Sequence, residues 1–435
     1  MAEMLWQKDA PGANVVIRGA RVVDPTEKLD ATLDVRIDNG TIVEIAEKVD
    51  ANEHRVIDAA GLVLAPAFVD PHVHLRTPGR EDEETVATGT AAAAAGGFCA
   101  ILAMPNTDPV VDTAWTLGAL VEVAKREAAV PTGFLAAITR GQRGEELTEM
   151  GELADRGAVA FSDDGMPVAS AGLMRRALQY ASTTDRPLAL HCEEPTLSKN
   201  AHVHEGRVAA ELGFAGYPSV AESVAVERDI SLAAYENGRI HVLHLSAAES
   251  VDALRRAKEL GINASGEATP HHLVLTDEAV RSLDPNVKMN PPLRAERDRV
   301  ALLDAVRDGT IEAIATDHAP HAAHEKDVPF EEAPFGVTGL ETAFASLYTH
   351  LVQPGLLSLE TLLERMSAGP ARLFDLDIPR VAKGATANLV LLDLEGTWTV
   401  GEQPFHSRSA NSWLLGSILT GVVRMTFAGG QVAYE

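Results

Sequence analysis

His72, His74 and Arg76 alternate at the end of the apolar run Leu62–Val69. On an extended strand, residues i and i+2 point to the same side, so both imidazoles can reach one metal ion and Arg76 continues on that side. An HxH pair alone describes two surface histidines equally well, so the remaining metal-capable residues decide. Asp163-Asp164-Gly165, His191, His244 and Asp317-His318-Ala319-Pro320-His321 each close an apolar, strand-like run, and Pro105-Asn106 closes another. Histidines scattered through a core or over a surface would not collect at strand ends. Four histidines (His72, His74, His191, His244) and two aspartates (Asp164, Asp317) exceed the needs of one tetrahedral zinc. They suit two ions about 3.5–4 Å apart that share a bridging oxygen ligand.

The elements that must position these residues alternate. Strand-like runs fall at Leu64–His72, Cys99–Met104, Gly133–Ile138, Ala158–Ser162, Leu188–His191, Ile240–Leu245, Asn263–Glu267 and Ala313–Thr316. Helical patterns fill most gaps: Thr85–Ala95, Thr116–Ala128, Ala171–Ser182, Pro218–Asn237, Ala248–Gly261 and Ala295–Asp308. Eight strands alternating with helices predict an α/β chain with a (β/α)8 TIM barrel, whose chemistry sits at the C-terminal strand ends. Both chain ends are rich in strands instead. Val15–Val23, Leu33–Ile37, Thr41–Ile45 and Val56–Leu64 lie at one end, with Asn39-Gly40 as a hairpin turn. Ala387–Leu392, Val422–Phe427 and Gln431–Tyr434 lie at the other, with Gly429-Gly430 as a turn. Neither end is long enough for a stable sheet by itself. The expectation is one small β-sandwich built from residues 1–66 and 370–435, with the barrel (67–369) inserted between them.

The 435 residues carry a formal charge of −26, which argues against binding a phosphate backbone or an anionic membrane surface. A site for an anionic ligand must then be made locally positive by arginine or metal. The two cysteines, Cys99 and Cys192, imply no disulfide framework and suit a reducing compartment. The first residues lack the apolar core of a signal peptide, and no run approaches 18 apolar residues. The expectation is a soluble cytoplasmic protein without nucleic-acid or membrane partners.

Together the HxHLR motif, Met104-Pro105-Asn106-Thr107, the single histidines His191 and His244, the Asp317–His321 cluster and the split β domain resemble the amidohydrolase superfamily. Within it they are most similar to dihydroorotases of the long-chain bacterial type. The resemblance spans nearly the whole chain. It implies two Zn²⁺ per subunit, one held by His72, His74 and Asp317 and the other by His191 and His244. It further implies substrate contacts from His74, Arg76, Asn106, Asn290, His321 and the backbone of Phe335-Gly336. Many binuclear members bridge their metals with a carbamylated lysine at the end of strand four. No lysine occurs between Lys125 and Lys199, and Asp164 stands where the bridge should come. Asp163 then serves the strand-ending turn. Thr77 is a second departure, since similar dihydroorotases usually carry glutamate there, and it puts a local hydrogen bond in doubt.

The implied activity is reversible interconversion of dihydroorotate and N-carbamoyl-L-aspartate in pyrimidine (UMP) synthesis. Metal-activated hydroxide would attack the ring amide, with Asp317 as general acid/base. Arg76 can grip a carboxylate through two parallel hydrogen bonds, with Asn106 as a neighbouring amide donor. A small anionic cyclic amide fits this pair better than hydantoin or allantoin, which need no carboxylate partner. A hydantoinase or allantoinase is the alternative, and the missing lysine counts against it. A catalytically dead subunit that scaffolds aspartate transcarbamoylase should have lost metal ligands, and here all six are present. A homodimer, or association of an active enzyme with aspartate transcarbamoylase, is compatible with the resemblance. Glu193-Glu194 could support His191 from behind but reads better as a solvated loop. Thr269–His272 reads as scaffold or as support behind the ligands, and the polar segment His321–Phe335 as a mobile lid.

Overall fold

The computed structural model describes residues 4–51 and 53–435, so residues 1–3 of the N-terminal stretch weighed as a signal peptide lie outside it. Strands from both ends share one eight-stranded mixed sheet. The N-terminal part supplies Val15–Asp24, Leu29–Asp38, Thr41–Ala46, Arg55–Asp58 and Val63–Pro66. The C-terminal part supplies Leu389–Thr399, Ile418–Ala428 and Gln431–Tyr434. The two ends meet where Val63–Pro66 pairs antiparallel with the start of Leu389–Thr399, Leu389 opposite Pro66. Asn39, Gly40, Gly429 and Gly430 all have positive φ (45°, 77°, 57° and 79°). That is what two-residue hairpin turns demand. Inward residues of these strands, among them Ile17, Val22, Val35, Ile37, Leu64, Leu391 and Phe427, form a core separate from that of the barrel.

The inserted chain closes a parallel barrel. Its strands are Phe68–Val73, Phe98–Ala103, Thr132–Phe134, Leu188–Leu190, Ile240–Val242, Ala264–Ala268 and Ala313–Ile314. The run Leu64–His72 is therefore not one strand: Val63–Pro66 belongs to the mixed sheet and the barrel starts at Phe68. The fourth position, expected at Ala158–Ser162, pairs with the third strand through Val159 N to Phe134 O, Ala136 N to Ala160 O and Ser162 N to Ala136 O, and Phe161 bridges Ala136 on one side and Leu188 on the other. Asp163 ends this ladder. Its carboxylate accepts the Ile138 and Thr139 amides at 2.8 and 3.0 Å, replacing the backbone acceptors a longer strand would have offered. The ring closes where Val73 bridges His318. Beneath that seam, buried Asp70 accepts from His72 N (3.1 Å) and from Thr316 Oγ1 (2.6 Å), tying the first strand to the eighth.

Helices surround the barrel close to the expected places: Val86–Ala95, Ala114–Glu127, Ala171–Ala181, Val220–Glu236, Ala248–Glu259 and Glu296–Asp308. Thr85, Thr113 and Ser170 cap three of them by accepting an amide of the first turn. The Thr113 cap moves the second helix start two residues ahead of the expected Thr116. No helix among the described residues is long and apolar enough to cross a membrane.

Candidate metal centre and active site

The C-terminal strand ends converge on Asp164. Its Oδ2 lies 3.7 Å from His72 Nε2 and 3.5 Å from His74 Nε2. Its Oδ1 lies 3.6 Å from His191 Nδ1 and 3.5 Å from His244 Nε2. Asp317 Oδ1 joins the first pair, 3.4 Å from His72 Nε2 and 3.1 Å from His74 Nε2. A tetrahedral zinc with bonds of about 2.0–2.1 Å separates its ligand atoms by about 3.3 Å, close to these spacings. Within 4.8 Å, His72, His74 and Asp317 form one potential ligand group, and His72, Asp164 and His244 another. All six residues are buried. His72 Nε2 and Asp164 Oδ1 are buried without a hydrogen-bond partner among the described residues. A desolvated lone pair and a desolvated carboxylate oxygen cost free energy unless something cationic meets them, so the donor set fits divalent cations.

Backbone conformation aims two of these side chains and Arg76 beside them. Arg76, His244 and Asp317 have φ of 55°, 32° and 48°. This left-handed region is unfavourable for residues with a Cβ, and such strain persists only where surrounding packing imposes it.

Each histidine face turned away from the centre was invisible to the strand-end pattern. His72 Nδ1 donates to Glu267 Oε1 at 2.7 Å, while Glu267 Oε2 accepts from His241 Nε2 at 3.0 Å. Burial alone would raise the Glu267 carboxyl, but His72 and His241 outweigh it and hold it at about 2. His74 Nδ1 donates to Asn106 Oδ1 at 2.9 Å. His191 Nε2 donates to Glu193 Oε2 at 2.9 Å, so Glu193 is not the solvated loop residue expected. Burial opposes ionisation of Glu193 too, yet the hydrogen bond and charge of His191 keep it at about 2. The signal was available: Glu193 follows His191 by two residues in an extended segment. Asp317 is likewise held below the usual carboxylate range, the charges of His72 and His74 overcoming burial, so it stands in its basic form.

A cavity of about 340 Å³ opens over the cluster, lined by His74, Arg76, Asn106, Asp164, His191, His244, Asn290, Asp317, His321, Phe335 and Gly336 among others. His72 lies behind this lining. Arg76 is buried, with Nε 3.1 Å from Pro320 O and 3.0 Å from Glu83 Oε2. Its two Nη groups make no hydrogen bond to a described residue. His321 Nε2 donates to Phe335 O at 2.8 Å, and burial with the nearby charge of Arg76 pushes the ring down to about 3, leaving it neutral. Gly336 has φ of 112°, and a Cβ there would sit 2.6 Å from Ala319 Cβ, so only glycine brings this backbone to the cavity wall.

The segment between His321 and Phe335 is pinned by two buried lysines. Lys288 Nζ donates to Glu331 O and Ala333 O (2.8 and 2.7 Å), and Lys326 Nζ to Pro285 O and Pro334 O (3.1 and 2.7 Å). His271 and His272 do stand behind the site as scaffold. Burial lowers both rings, and His272 is fixed by Thr269 Oγ1 and Pro291 O. Thr77 Oγ1 is buried without a partner, so the hydrogen bond placed in doubt by that residue is absent among the described residues.

Comparison with known proteins gives the family. The family profile described as Dihydro-orotase-like matches residues 61–250. The dihydroorotase of Geobacter metallireducens is 43% identical over 97% of this chain and 100% of its own length. That of Anaeromyxobacter dehalogenans is 46% identical over 96% of this chain and 97% of its own. The chain belongs to the dihydroorotase family. Among solved structures, the L-hydantoinase of Arthrobacter aurescens superposes with a TM-score of 0.87 at 25% identity, covering 97% of this chain and 96% of its own. The dihydropyrimidinase of Brevibacillus agri gives 0.85, also at 25% identity, over 97% and 95%. These enzymes share the barrel with its two-ended β domain. Membership of the dihydroorotase family implies a divalent metal, and the Asp164-centred donors of this family member fit one.

Proposed function

We propose that this chain is a zinc-dependent dihydroorotase, interconverting dihydroorotate plus water and N-carbamoyl-L-aspartate in pyrimidine synthesis. The observation that carries this is the pairing, across one cavity, of an Asp164-centred donor cluster with the unengaged Nη groups of Arg76. His72, His74 and Asp317 would hold one zinc, His191 and His244 the other, and Asp164 would bridge them. When bound, two such ions make hydroxide available from water at neutral pH and polarise the attacked carbonyl.

The chain's own residues do the rest. Arg76 binds the substrate carboxylate. Asn106, whose Oδ1 is engaged by His74, turns its Nδ2 donor to the same group. His321 and the Phe335-Gly336 backbone close the opposite wall. Asp317 takes the proton of the attacking water as the new C–O bond forms, and delivers it to the ring nitrogen as the C–N bond breaks. The reverse reaction uses the same groups in the opposite order. The lack of a lysine at the fourth strand and the presence of Arg76 favour dihydroorotate over hydantoin, although the superposed structures include hydantoinases.

The test is a substrate comparison on the purified, zinc-loaded chain. Dihydroorotate should be opened with a kcat/KM at least about a hundredfold above that for hydantoin or allantoin, the difference one well-placed charged contact supplies. Preference for either uncharged ring would sink the assignment.

A further inference from the structure

Glu193 touches two parts of the site at once. Its Oε2 lies 2.9 Å from His191 Nε2 and 3.2 Å from Asn290 Nδ2. Its Oε1 accepts from Ser198 Oγ. An ionised carboxylate can only accept hydrogen bonds, so each of these three partners must donate. That fixes two choices the partners could not make alone. His191 presents its Nε2 proton to Glu193, so Nδ1, which faces Asp164 and His244, is the nitrogen left to meet a metal. Asn290 must turn its nitrogen to Glu193, which leaves Oδ1 as the acceptor it offers to the cavity it lines. Asn106 is the mirror case: its Oδ1 is engaged by His74, and a donor is left over.

We propose that Glu193 is a positioning residue that couples the metal site to substrate recognition. It holds His191 as a ligand through Nδ1 and holds Asn290 as an acceptor for a ring N–H of the cyclic amide. The two asparagines then read opposite ends of the substrate, Asn106 donating to the carboxylate and Asn290 accepting from the ureide edge. This rests on the dihydroorotase function proposed above.

The experiment compares wild type, Glu193→Gln, Glu193→Ala and Asn290→Ala as full chains. Zinc affinity is measured by competition with a chromophoric chelator, and kcat and KM are measured for dihydroorotate. In Glu193→Gln the amide oxygen still accepts from His191 and Asn290, while the Ser198 hydroxyl turns to accept from the amide nitrogen. That variant should lose about tenfold in affinity for the weaker-bound zinc, with KM within about twofold of wild type. Glu193→Ala should lose about 10–100-fold in zinc affinity and raise KM about tenfold or more. Asn290→Ala should raise KM while leaving zinc affinity within about twofold.

If Glu193→Ala lowers the melting temperature but leaves both zinc affinity and KM near wild type, Glu193 is merely structural and the coupling is wrong. A Glu193→Gln chain as defective in KM as Glu193→Ala would also overturn it. Wild type that turns over dihydroorotate with two zincs while the Glu193 variants match it removes the coupling and leaves the function standing. Wild type that binds no zinc overturns both.

Discussion

His72 and His191 stand on opposite sides of Asp164, at 3.7 and 3.6 Å from its two oxygens, yet they are braced by different means. Behind His72 lies Glu267, fully buried on the seventh barrel strand and shared with His241. Behind His191 lies Glu193, shared with Asn290, which lines the cavity. The His72 side also gathers more protein donors: His74 and Asp317 join it, whereas His191 has His244 beside it, and His244 groups with His72 and Asp164 as well. One half is thus built into the barrel core, and the other is connected to Asn290 in the cavity wall. In the proposed two-zinc centre, one ion would be held by the barrel core while the other would be linked to what occupies the cavity.

The largest effect should come from breaking what the halves share. Asp164→Ala removes the one carboxylate that faces both, so neither half keeps its full donor set. Turnover should fall by several kcal/mol of barrier, on the order of a thousandfold or more, with zinc content dropping below two per chain. Next comes the buried brace. Glu267→Gln should weaken zinc binding by about 10–100-fold and destabilise the fold by about 3 kcal/mol, because it disrupts a buried charged network. Equal loss of melting temperature in Glu267→Gln and Glu193→Gln would erase the distinction between the halves. Stepwise chelation offers the same comparison without mutation, and should pass through a one-zinc state.

Away from the metals, Arg76→Ala should raise KM for dihydroorotate about 10–100-fold with zinc content unchanged, the cost of losing a charged hydrogen-bonding partner. Unchanged KM would remove the carboxylate clamp.

The smallest effect concerns the segment facing both halves. Burial, reinforced by the charge of Lys288, lowers Lys326 from 10.5 to about 7. The folded chain then releases this proton above about pH 7 while the unfolded chain keeps it toward 10.5. The unfolded state binds more protons in that window, so stability rises with pH there. Lys326→Met lacks this contribution. The stability advantage of wild type over the variant should grow between pH 7 and 9 by about 2 kcal/mol, read by denaturant unfolding. A pH-independent difference would show that Lys326 titrates normally.

The sequence carried the barrel and the six inner donors because strand-end position is a local property. Apolar runs ending in His or Asp announce both the element and its chemistry. The split β domain was legible for a similar reason, through two Gly-containing hairpin turns at opposite ends of the chain. The braces were less legible. Glu267 is 195 residues from His72 in sequence, and nothing local marks it as that histidine's partner. Glu193 was close in sequence but carries the composition of a solvated loop. The end of the fourth strand was legible too, but not that Asp163 there takes over backbone amides of the third, a side-chain substitution that periodicity does not register. Asp70, which seals the first strand to the eighth, escaped notice for the same reason as Glu267: its partner Thr316 lies at the far end of the barrel sequence.

The most direct test of a shared two-ion centre is activity against zinc added back to the metal-free chain. Turnover of dihydroorotate should rise to its maximum at two zincs per chain in wild type and stay near background for Asp164→Ala at any loading. A wild-type plateau at one zinc per chain, or full activity in Asp164→Ala, would contradict a centre bridged by Asp164.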